Sequence, residues 1–338
     1  MKYSFWTGGY SNRQEESVCK VAYDPEAGFS LLEKYQGFLN PSYLLAKPQR
    51  AMLYFVEETA PIGAVQALRY KDGKLCPAGT FSTDGAAPCH LSLSEDGSRL
   101  YVANYTSGSL AVFRLNEEGE IVGKSEFRQH TGRGTNPDRQ EGPHVHFSME
   151  KDGTLYVCDL GLDRIFTYQR GEEGLTNCGS IDMPAGSGPR HLAFNDRAST
   201  IYCAAELNSR VYVIQKDERS KYQIIQEMST LPESFRGENT TAAIRLSADG
   251  RILMVSNRGN DSIAIFSVDE NGLLSRPVFS PCVANPRDFV ILGGDVIVGS
   301  QRDSGIRAYR LEADSLRLVD TGYSLPICRP TCFAVWEG

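Results

Sequence analysis

Short apolar runs separated by polar turns recur along the whole chain, and few segments place apolar residues at helical spacing. The best helical candidate, residues 231–235, is too short to form a helix of ordinary length. Many runs are apolar at consecutive positions, as in residues 155–159 (LYVCD) and 252–256 (ILMVS). Such runs are typical of strands whose two faces are both covered by neighbouring sheets. The pattern therefore predicts an all-β protein.

A turn followed by a short apolar strand recurs seven times. Six copies are led by a proline, and the seventh, TAAIRLS around Ala242, keeps the strand without it. The six prolines are Pro41, Pro88, Pro143, Pro189, Pro286 and Pro330. The copies are spaced by about 44 to 55 residues, which is typical of a four-stranded propeller blade. The repeats predict a seven-bladed β-propeller forming one domain over residues 1–338.

Each complete copy continues through a turn into a second strand and then a third. Asp-Gly follows the first strand at residues 96–97, 152–153 and 249–250, and this dipeptide between apolar runs is a strong hairpin signal. The last copy ends the chain after one strand, whereas the amino terminus supplies KYSFWTGGYS and SVCKVAY as a second and a third strand. We therefore expect the two termini to share a blade, with the carboxy-terminal strand innermost, which closes the ring without an exposed sheet edge.

The net charge and the composition of the chain argue against nucleic-acid binding and membrane binding. The formal net charge of −7 argues against binding to nucleic acid or to an anionic membrane, because both need a basic surface. The amino terminus lacks a basic region followed by an apolar core, and no apolar run reaches the roughly 20 residues of a membrane helix. We expect a soluble cytoplasmic protein, monomeric or weakly homo-oligomeric, whose partner is a small molecule.

Signals for other chemistries are weak. Nine scattered cysteines without a CxxC pair favour buried thiols over a disulfide framework or a zinc knuckle. No GxSxG elbow is present, and residues 186–188 (GSG) lead into a strand rather than a phosphate-binding helix. His144 and His146 are two residues apart on a predicted strand, so they share a face and could bind a metal together with Glu206. No third ligand lies at a sequence spacing that is typical of metal sites. We expect neither a cofactor nor a metal.

Polar residues collect at one end of the predicted hairpins. Four of the five histidines fall in the starts of innermost strands, and only His130 does not; the four are His90, His144, His146 and His191. A hairpin brings the start of its first strand beside the end of its second, so Arg190 and His191 should lie near Glu206. The other second strands should end at the same channel mouth, with Asn104, Asp159, Asn257, Arg258 and Gln301.

This group of polar residues has two interpretations. It is either a functional site or a rim that is polar because water fills the channel. Two members also have purely structural alternatives, since Arg258 could pair with Asp261 and Glu206 could pair with Arg210. The position of Glu206 beside Arg190 favours a site.

Five segments together resemble the seven-bladed propeller lactonase family, which includes bacterial propeller 6-phosphogluconolactonase and a fungal carboxymuconate-lactonizing enzyme. The segments are GPHVH, DLGLDRI, GPRH, ELNS and SNRGNDSIAIF, at residues 142–146, 159–165, 188–191, 206–209 and 256–266. The resemblance covers essentially the whole chain. It implies a site made of one histidine, two arginines and a glutamate, which carry over as His146, Arg190, Glu206 and Arg258. His144 is a competing match for the histidine.

Lactone hydrolysis needs a positioned water, a base that works near neutral pH and donors for the developing oxyanion. His146 or Glu206 can supply the base. Histidine is the stronger candidate, because its ordinary pKa is close to neutral, whereas a neighbouring arginine lowers the pKa of a glutamate. Arginine is suited to phosphate or carboxylate, so Arg190, Arg258 and Arg287 could bind such an anion. The further candidates for substrate binding are His144, His191, Asn104 and Asn257.

The resemblance predicts a hydrolase of carbohydrate metabolism that opens a sugar lactone, with 6-phosphogluconolactone of the pentose phosphate pathway as the first candidate. Two alternatives stay open: a lactone-forming cycloisomerase that uses the same groups in reverse, and a non-catalytic scaffold. A scaffold would have an apolar or aromatic rim without convergent His, Arg and Glu. Ala243 stands where the family often has an acidic residue, and this departure concerns the identity of the substrate rather than the fold.

Overall fold

The computed structural model describes residues 2–171 and 174–336, so residues 1, 172–173 and 337–338 lie outside it. The described residues form 28 strands and one short 3₁₀ helix, Pro48–Arg50. The strands build seven antiparallel sheets of four strands each. The prediction of an all-β protein with seven four-stranded blades is therefore confirmed. No helix in the described residues has the length and apolar character needed to cross a membrane.

Contacts within the described residues divide the chain into two compact units. The first consists of residue 2 and residues 23–30 and 187–331, and the second of residues 3–22, 31–186 and 332–336. The assignment of one domain to residues 1–338 stays a prediction.

The second unit contains three complete sheets. In chain order their strands are β4 Leu44–Lys47, β5 Met52–Glu57, β6 Ala64–Lys71 and β7 Lys74–Ser82; β8 Pro88–Leu93, β9 Arg99–Asn104, β10 Ser109–Leu115 and β11 Ile121–Gln129; and β12 Val145–Lys151, β13 Thr154–Asp159, β14 Arg164–Gly171 and β15 Gly174–Asp182. The β12–β13 hairpin shows why the Asp-Gly signal works. Asp152 and Gly153 adopt φ values of 50° and 70° in a two-residue loop between paired Lys151 and Thr154.

The first unit also contains three complete sheets. Their strands are β16 Pro189–Asn195, β17 Thr200–Ala205, β18 Arg210–Lys216 and β19 Tyr222–Ser229; β20 Thr240–Leu246, β21 Ile252–Arg258, β22 Ser262–Ser267 and β23 Val278–Pro281; and β24 Pro286–Leu292, β25 Asp295–Ser300, β26 Gly305–Glu312 and β27 Arg317–Pro326. In each complete sheet of both units, the strand that begins a repeat lies at one edge.

The seventh sheet joins the two ends of the chain in the order β28 Pro330–Val335, β1 Tyr3–Gly9, β2 Val18–Asp24 and β3 Gly28–Tyr35. The carboxy-terminal strand takes the edge position that proline-led strands take in the other sheets. The Trp336 N–H donates to the Ser4 carbonyl at 2.7 Å, which extends this pairing. The prediction that the termini share a blade is therefore confirmed.

The core lies between the faces of neighbouring sheets. Within the second unit, Tyr101 and Leu110 pack with Leu155 and Val157 in one buried cluster. Within the first, Tyr202 and Phe266 belong to another. The second strands β13 and β17 are buried along almost their whole length, while the fourth strand β19 alternates between half-buried and exposed positions. Burial on both faces explains why the second strands are continuously apolar.

Candidate functional site

Several strands that begin the repeats have a register shift against the second strand, and two of these shifts fall on candidate site residues. The register with the second strand shifts between Pro88 and His90, between Val145 and Phe147, and between Pro189 and His191. The residues at the three shifts are Cys89, His146 and Arg190. A β-bulge bends the strand and turns one side chain away from the regular alternation. His146 and Arg190 therefore owe their orientation to this bulge.

Arg190, Glu206 and Arg258 form one buried ion-pair cluster in the first unit. Arg190 Nε donates to Glu206 Oε2 at 2.9 Å, and Arg258 Nη2 lies 2.8 Å from the same oxygen. The side chains of Arg190 and Glu206 are 3% and 6% exposed, and that of Arg258 is 13% exposed. The hairpin prediction that Arg190 lies beside Glu206 is confirmed by this contact, and Arg258 joins them from the end of β21.

Backbone carbonyls fix the two arginines from the other side. Arg190 Nη1 donates to the Ala242 carbonyl at 2.8 Å, and Arg258 Nη2 donates to that of Thr241 at 3.0 Å. Arg190 Nη1 also lies 3.3 Å from His191 Nε2. Because a guanidinium only donates, this contact requires His191 Nε2 to accept and therefore to carry no proton. The cluster thus holds two guanidinium groups against one carboxylate.

The structure contains neither the Arg258–Asp261 pair nor the Glu206–Arg210 pair that the sequence left open. Asp261 accepts hydrogen bonds from the N–H groups of Gly259 and Asn285, and lies 3.7 Å from Arg302 rather than pairing with Arg258. Arg210 pairs with Glu227 at 3.4 Å on the surface. Glu206 is thus paired with Arg190 and Arg258.

Tyr105 lies against both histidines of the second unit's site region. Its ring stacks on His144, with centroids 4.5 Å apart and planes inclined by 13°, and meets His146 edge-on at 5.6 Å. Both histidines are buried. His144 Nδ1 lies 3.0 Å from the Tyr105 carbonyl oxygen, and His144 Nε2 lies 3.2 Å from Glu141 Oε1. The sequence pattern predicted both histidines on one strand face. β12 begins only at Val145, so His144 precedes the strand and the shared strand face is not formed. No sequence signal pointed to Tyr105.

His130, which the repeat pattern set aside, supports this region through Asp159. His130 Nδ1 lies 2.7 Å from Asp159 Oδ2, and its Nε2 lies 2.9 Å from the Tyr168 hydroxyl. The other carboxylate oxygen, Asp159 Oδ1, accepts the His144 N–H at 2.8 Å and the Leu162 N–H at 3.1 Å. His130 and Asp159 are almost completely buried. The pair thus anchors the backbone where the His144 segment enters β12.

The long segment between β11 and β12 is organised by Gln140, which no repeat signal marked. Its Oε1 accepts the N–H groups of Thr135 and Asn136, and its Nε2 donates to the Leu160 carbonyl and to Asp163 Oδ1. The length and polarity of residues 130–144 are the sequence signal that could have marked this segment. It is the longest connection between two repeats of strands in the second unit.

The remaining candidates differ in their immediate surroundings. Asn257 accepts from Thr230 Oγ1 and Asn239 Nδ2 and donates to the Thr230 carbonyl and Ser262 Oγ, so its amide is fully used. Asn104 is buried, and its Nδ2 donates to Ser109 Oγ at 3.1 Å. The others are His90, packed between Tyr43 and Phe147; Gln301 and Arg287, both half-buried; and Ala243, buried in an apolar cluster.

In the described residues, no group of three or more His, Cys, Asp and Glu side chains is arranged to hold a metal ion. The groups near His144 and His146 are the phenol of Tyr105, the carboxylate of Glu141 and the guanidinium of Arg139. Arg139 Nη2 donates to the Tyr105 hydroxyl at 3.1 Å.

Comparison with known proteins places this chain in a family. Residues 4–335 match the family described as "Lactonase, 7-bladed beta-propeller". The chain is 30% identical over 341 residues to a 6-phosphogluconolactonase of Bacillus subtilis, covering 98% of this chain and 97% of that protein. A crystal structure described as a putative 6-phosphogluconolactonase from Bacteroides fragilis is similar with a TM-score of 0.92 and 26% identity, covering 99% of this chain and 98% of the other.

A second solved structure is the periplasmic gluconolactonase of Pseudomonas aeruginosa, with a TM-score of 0.91 and 28% identity, covering 99% of each chain. This relative is named for an unphosphorylated lactone, whereas the Bacillus relative is named for a phosphorylated one. The repeats, the strand order and the match along almost the whole sequence agree. This chain belongs to the lactonase family of seven-bladed β-propellers.

Proposed function

We propose that this protein is a hydrolase that opens a sugar lactone, with 6-phosphogluconolactone as the first candidate substrate. Membership of the lactonase family and the names of the relatives support the reaction class. The observation that carries the proposal is the buried cluster of Arg190, Glu206 and Arg258. Two guanidinium groups held by one carboxylate can bind an anion and can stabilise a developing oxyanion.

The two guanidinium groups of this cluster favour an anionic ligand. A guanidinium only donates hydrogen bonds, and a phosphate or carboxylate can accept two of them in parallel. We assign Arg190 and Arg258 to anion binding and to stabilisation of the developing oxyanion. His191, which accepts from Arg190, lies beside them as a further substrate contact, and Arg287 is a third candidate cation.

His146 is the proposed general base. In hydrolysis, a water oxygen bonds to the lactone carbonyl carbon while the base takes a water proton. The bond from that carbon to the ring oxygen then breaks, and the ring oxygen receives a proton to become a hydroxyl. Glu206 is the weaker candidate, because two guanidinium groups on Oε2 stabilise its carboxylate form. We assign Glu206 to holding the arginines in place and balancing their charge.

His144, Asn104 and Asn257 complete the proposed set with supporting roles. His144 lies against Tyr105 next to His146, where it can contact a bound sugar. Asn104 and Asn257 end or nearly end their second strands and fix the local backbone through buried hydrogen bonds. We expect substitution of the two asparagines to act mainly through stability.

Proton release measures this function directly, because opening a lactone at neutral pH yields a carboxylate and a proton. The purified protein should accelerate proton release from freshly generated 6-phosphogluconolactone above the spontaneous rate. Gluconolactone, assayed in parallel, reports the contribution of the phosphate, and we expect a lower kcat/KM for it. A protein that accelerates neither reaction is not a sugar lactonase.

The charge of a phosphorylated substrate bears on the compartment in which the protein acts. A phosphosugar is retained inside a cell by its charge, so we propose a cytoplasmic protein of carbohydrate metabolism that acts in the pentose phosphate pathway as a monomer or weak homo-oligomer. A preference for unphosphorylated gluconolactone would instead resemble the periplasmic relative. Cell fractionation followed by immunodetection distinguishes the two compartments, and light scattering gives the oligomeric state.

A further inference from the structure

Glu58 holds the same position in the first proline-led repeat that Glu206 holds in the fourth. It directly follows β5, and its backbone N–H donates at 3.2 Å to the Asn40 carbonyl, just before the proline of the repeat. Glu206 directly follows β17, and its N–H donates at 2.8 Å to the Gly188 carbonyl, which also precedes a proline. The repeat therefore places two carboxylates at equivalent ends of two hairpins.

The side-chain partners at these equivalent positions differ. Arg190 follows the proline of the fourth repeat and donates to Glu206, whereas Ser42 follows the proline of the first repeat. Ser42 Oγ donates to Glu58 Oε2, and the Tyr10 hydroxyl donates to Glu58 Oε1 at 2.9 Å. Glu58 is thus held by hydroxyl groups where Glu206 is held by guanidinium groups.

The contacts of Glu58 create a group that accepts hydrogen bonds and donates none. A hydroxyl has a single proton, and Tyr10 and Ser42 each give theirs to Glu58. A carboxylate has no proton to donate and offers about four acceptor positions, of which the two hydroxyls use one on each oxygen. The complementary ligand group is a donor such as an alcohol hydroxyl. A carboxylate or a fully ionised phosphate only accepts and does not match this group.

The exposure and the charge of Glu58 suit such a ligand. Glu58 is half-buried, which leaves its carboxylate within reach of a small molecule. Its partners Tyr10 and Ser42 are neutral. Arg13 pairs with the adjacent Glu57 instead, at 3.0 and 3.3 Å. Because a hydrogen bond to an ionised carboxylate is roughly twice as strong as one between neutral groups, a hydroxyl that donates to Glu58 adds appreciably to affinity.

Backbone hydrogen bonds connect Glu58 with the histidine region of the same unit. The carbonyl of Thr59, the next residue, accepts the Ala87 N–H at 2.8 Å, and the Ala87 carbonyl accepts the Tyr105 N–H at 2.8 Å. The Tyr105 ring meets His146 edge-on. Glu58 thus lies one sheet away from Tyr105, which contacts the proposed base.

We propose that Glu58, oriented by Tyr10 and Ser42, binds hydroxyl groups of the lactone ring and thereby selects hydroxylated lactones over unsubstituted ones. This inference rests on the lactonase function proposed above. It adds the hydroxyl groups of the substrate to the anion that was assigned to Arg190 and Arg258. Phosphorylated and unphosphorylated sugar lactones share ring hydroxyls, so Glu58 contributes equally to the binding of both.

Binding of two ring analogues that do not open tests the proposal without turnover. Gluconolactam keeps the ring hydroxyls of gluconolactone, and δ-valerolactam is the same ring without them; both are uncharged. Glu58→Gln keeps the size of the side chain but removes its charge and one acceptor oxygen. In titration calorimetry, this variant should raise the Kd of gluconolactam about ten- to a hundredfold, the scale of a hydrogen bond to a charged group. Glu118→Gln, the same change at an exposed residue, should leave the Kd unchanged.

Kinetics separate this role from a purely structural one. In Glu58→Gln, KM should rise by the same factor for gluconolactone and 6-phosphogluconolactone, because Glu58 contacts only hydroxyls. Their kcat values and the rate on δ-valerolactone, which has no hydroxyls, should hold. Tyr10→Phe keeps the ring but removes one donor to Glu58, so it should raise both KM values by a smaller factor.

Three results would overturn the proposal: equal affinity of the intact protein for the two lactams, an unchanged Kd of gluconolactam in Glu58→Gln, or an equal loss by that variant on δ-valerolactone. A protein that binds gluconolactam through Glu58 but opens no lactone would support the hydroxyl site and refute the lactonase function.

Discussion

Arg190 and Arg258 both contact the same carboxylate oxygen of Glu206. Hairpin geometry predicted the approach of Arg190, because both residues belong to one pair of strands. The second arginine could not be predicted in this way, since Arg258 comes from another sheet and had a plausible partner three residues along the chain. Local spacing identifies neighbours within a hairpin, whereas contacts between sheets depend on the packing of the whole unit.

Replacing Arg190 or Arg258 by Lys keeps the charge but removes the fork of parallel N–H donors. We expect each variant to bind the phosphorylated lactone more weakly by about 1 to 3 kcal/mol, the contribution of a charge-assisted hydrogen bond. The loss on gluconolactone should be smaller. Arg210→Lys is the matched control, because Arg210 pairs with Glu227 on the surface and should show no change. Equal losses on the two lactones would argue against anion binding by this cluster.

The start of β12 depends on a buried pair that joins neighbouring elements. Asp159, at the end of β13, accepts hydrogen bonds from the backbone where β12 begins and lies against His130 just after β11. The repeat predicted these strands correctly because turn residues and apolar runs are local signals. It set His130 aside, since this histidine lies outside the repeat and only the path of the long loop brings it to Asp159.

Asp159→Asn tests this anchor. An asparagine has one acceptor oxygen where the aspartate has two, so it leaves either His130 or the backbone donors without a partner in a buried site. We expect the free energy of unfolding to fall by about 1 to 3 kcal/mol. Urea denaturation measures it. Asp182→Asn, which removes a carboxylate that is 77% exposed, should change the value by less than about 0.5 kcal/mol. Equal stability of the two variants would contradict the anchoring role.

The two ends of the chain are joined by strand pairing, as the phase of the repeat predicted. β28 lies at the edge of the terminal sheet beside β1, and Cys332 and Ala334 pack into a buried cluster with Trp6 and Leu44. Lys20 Nζ lies 3.8 Å from the centroid of the Tyr70 ring, close to Trp6 and Trp336 as well. These contacts follow from tertiary packing, so the repeat predicted the partner strand but not the aromatic cluster around a buried lysine.

A chain truncated after Ile327 lacks β28 and leaves β1 as an unpaired edge next to an uncovered apolar cluster. We expect the truncated protein to aggregate, because an exposed apolar edge strand pairs readily with other chains. Size-exclusion chromatography with light scattering measures this outcome against the full chain. A monodisperse truncated protein with the full chain's melting temperature would show that the terminal strand is dispensable for folding.

The most direct test of the proposed mechanism compares turnover of 6-phosphogluconolactone by the intact protein, His146→Ala and Glu206→Gln, with each variant's fold checked by circular dichroism. Removal of a positioned base typically costs about 10²- to 10⁴-fold, so His146→Ala should lose at least about a hundredfold in kcat while remaining folded. Glu206→Gln should retain measurable turnover with a raised KM, because its role is to hold Arg190 and Arg258. An active His146→Ala beside an inactive Glu206→Gln would reverse the assignment of the base, and full activity in both would contradict the proposed site.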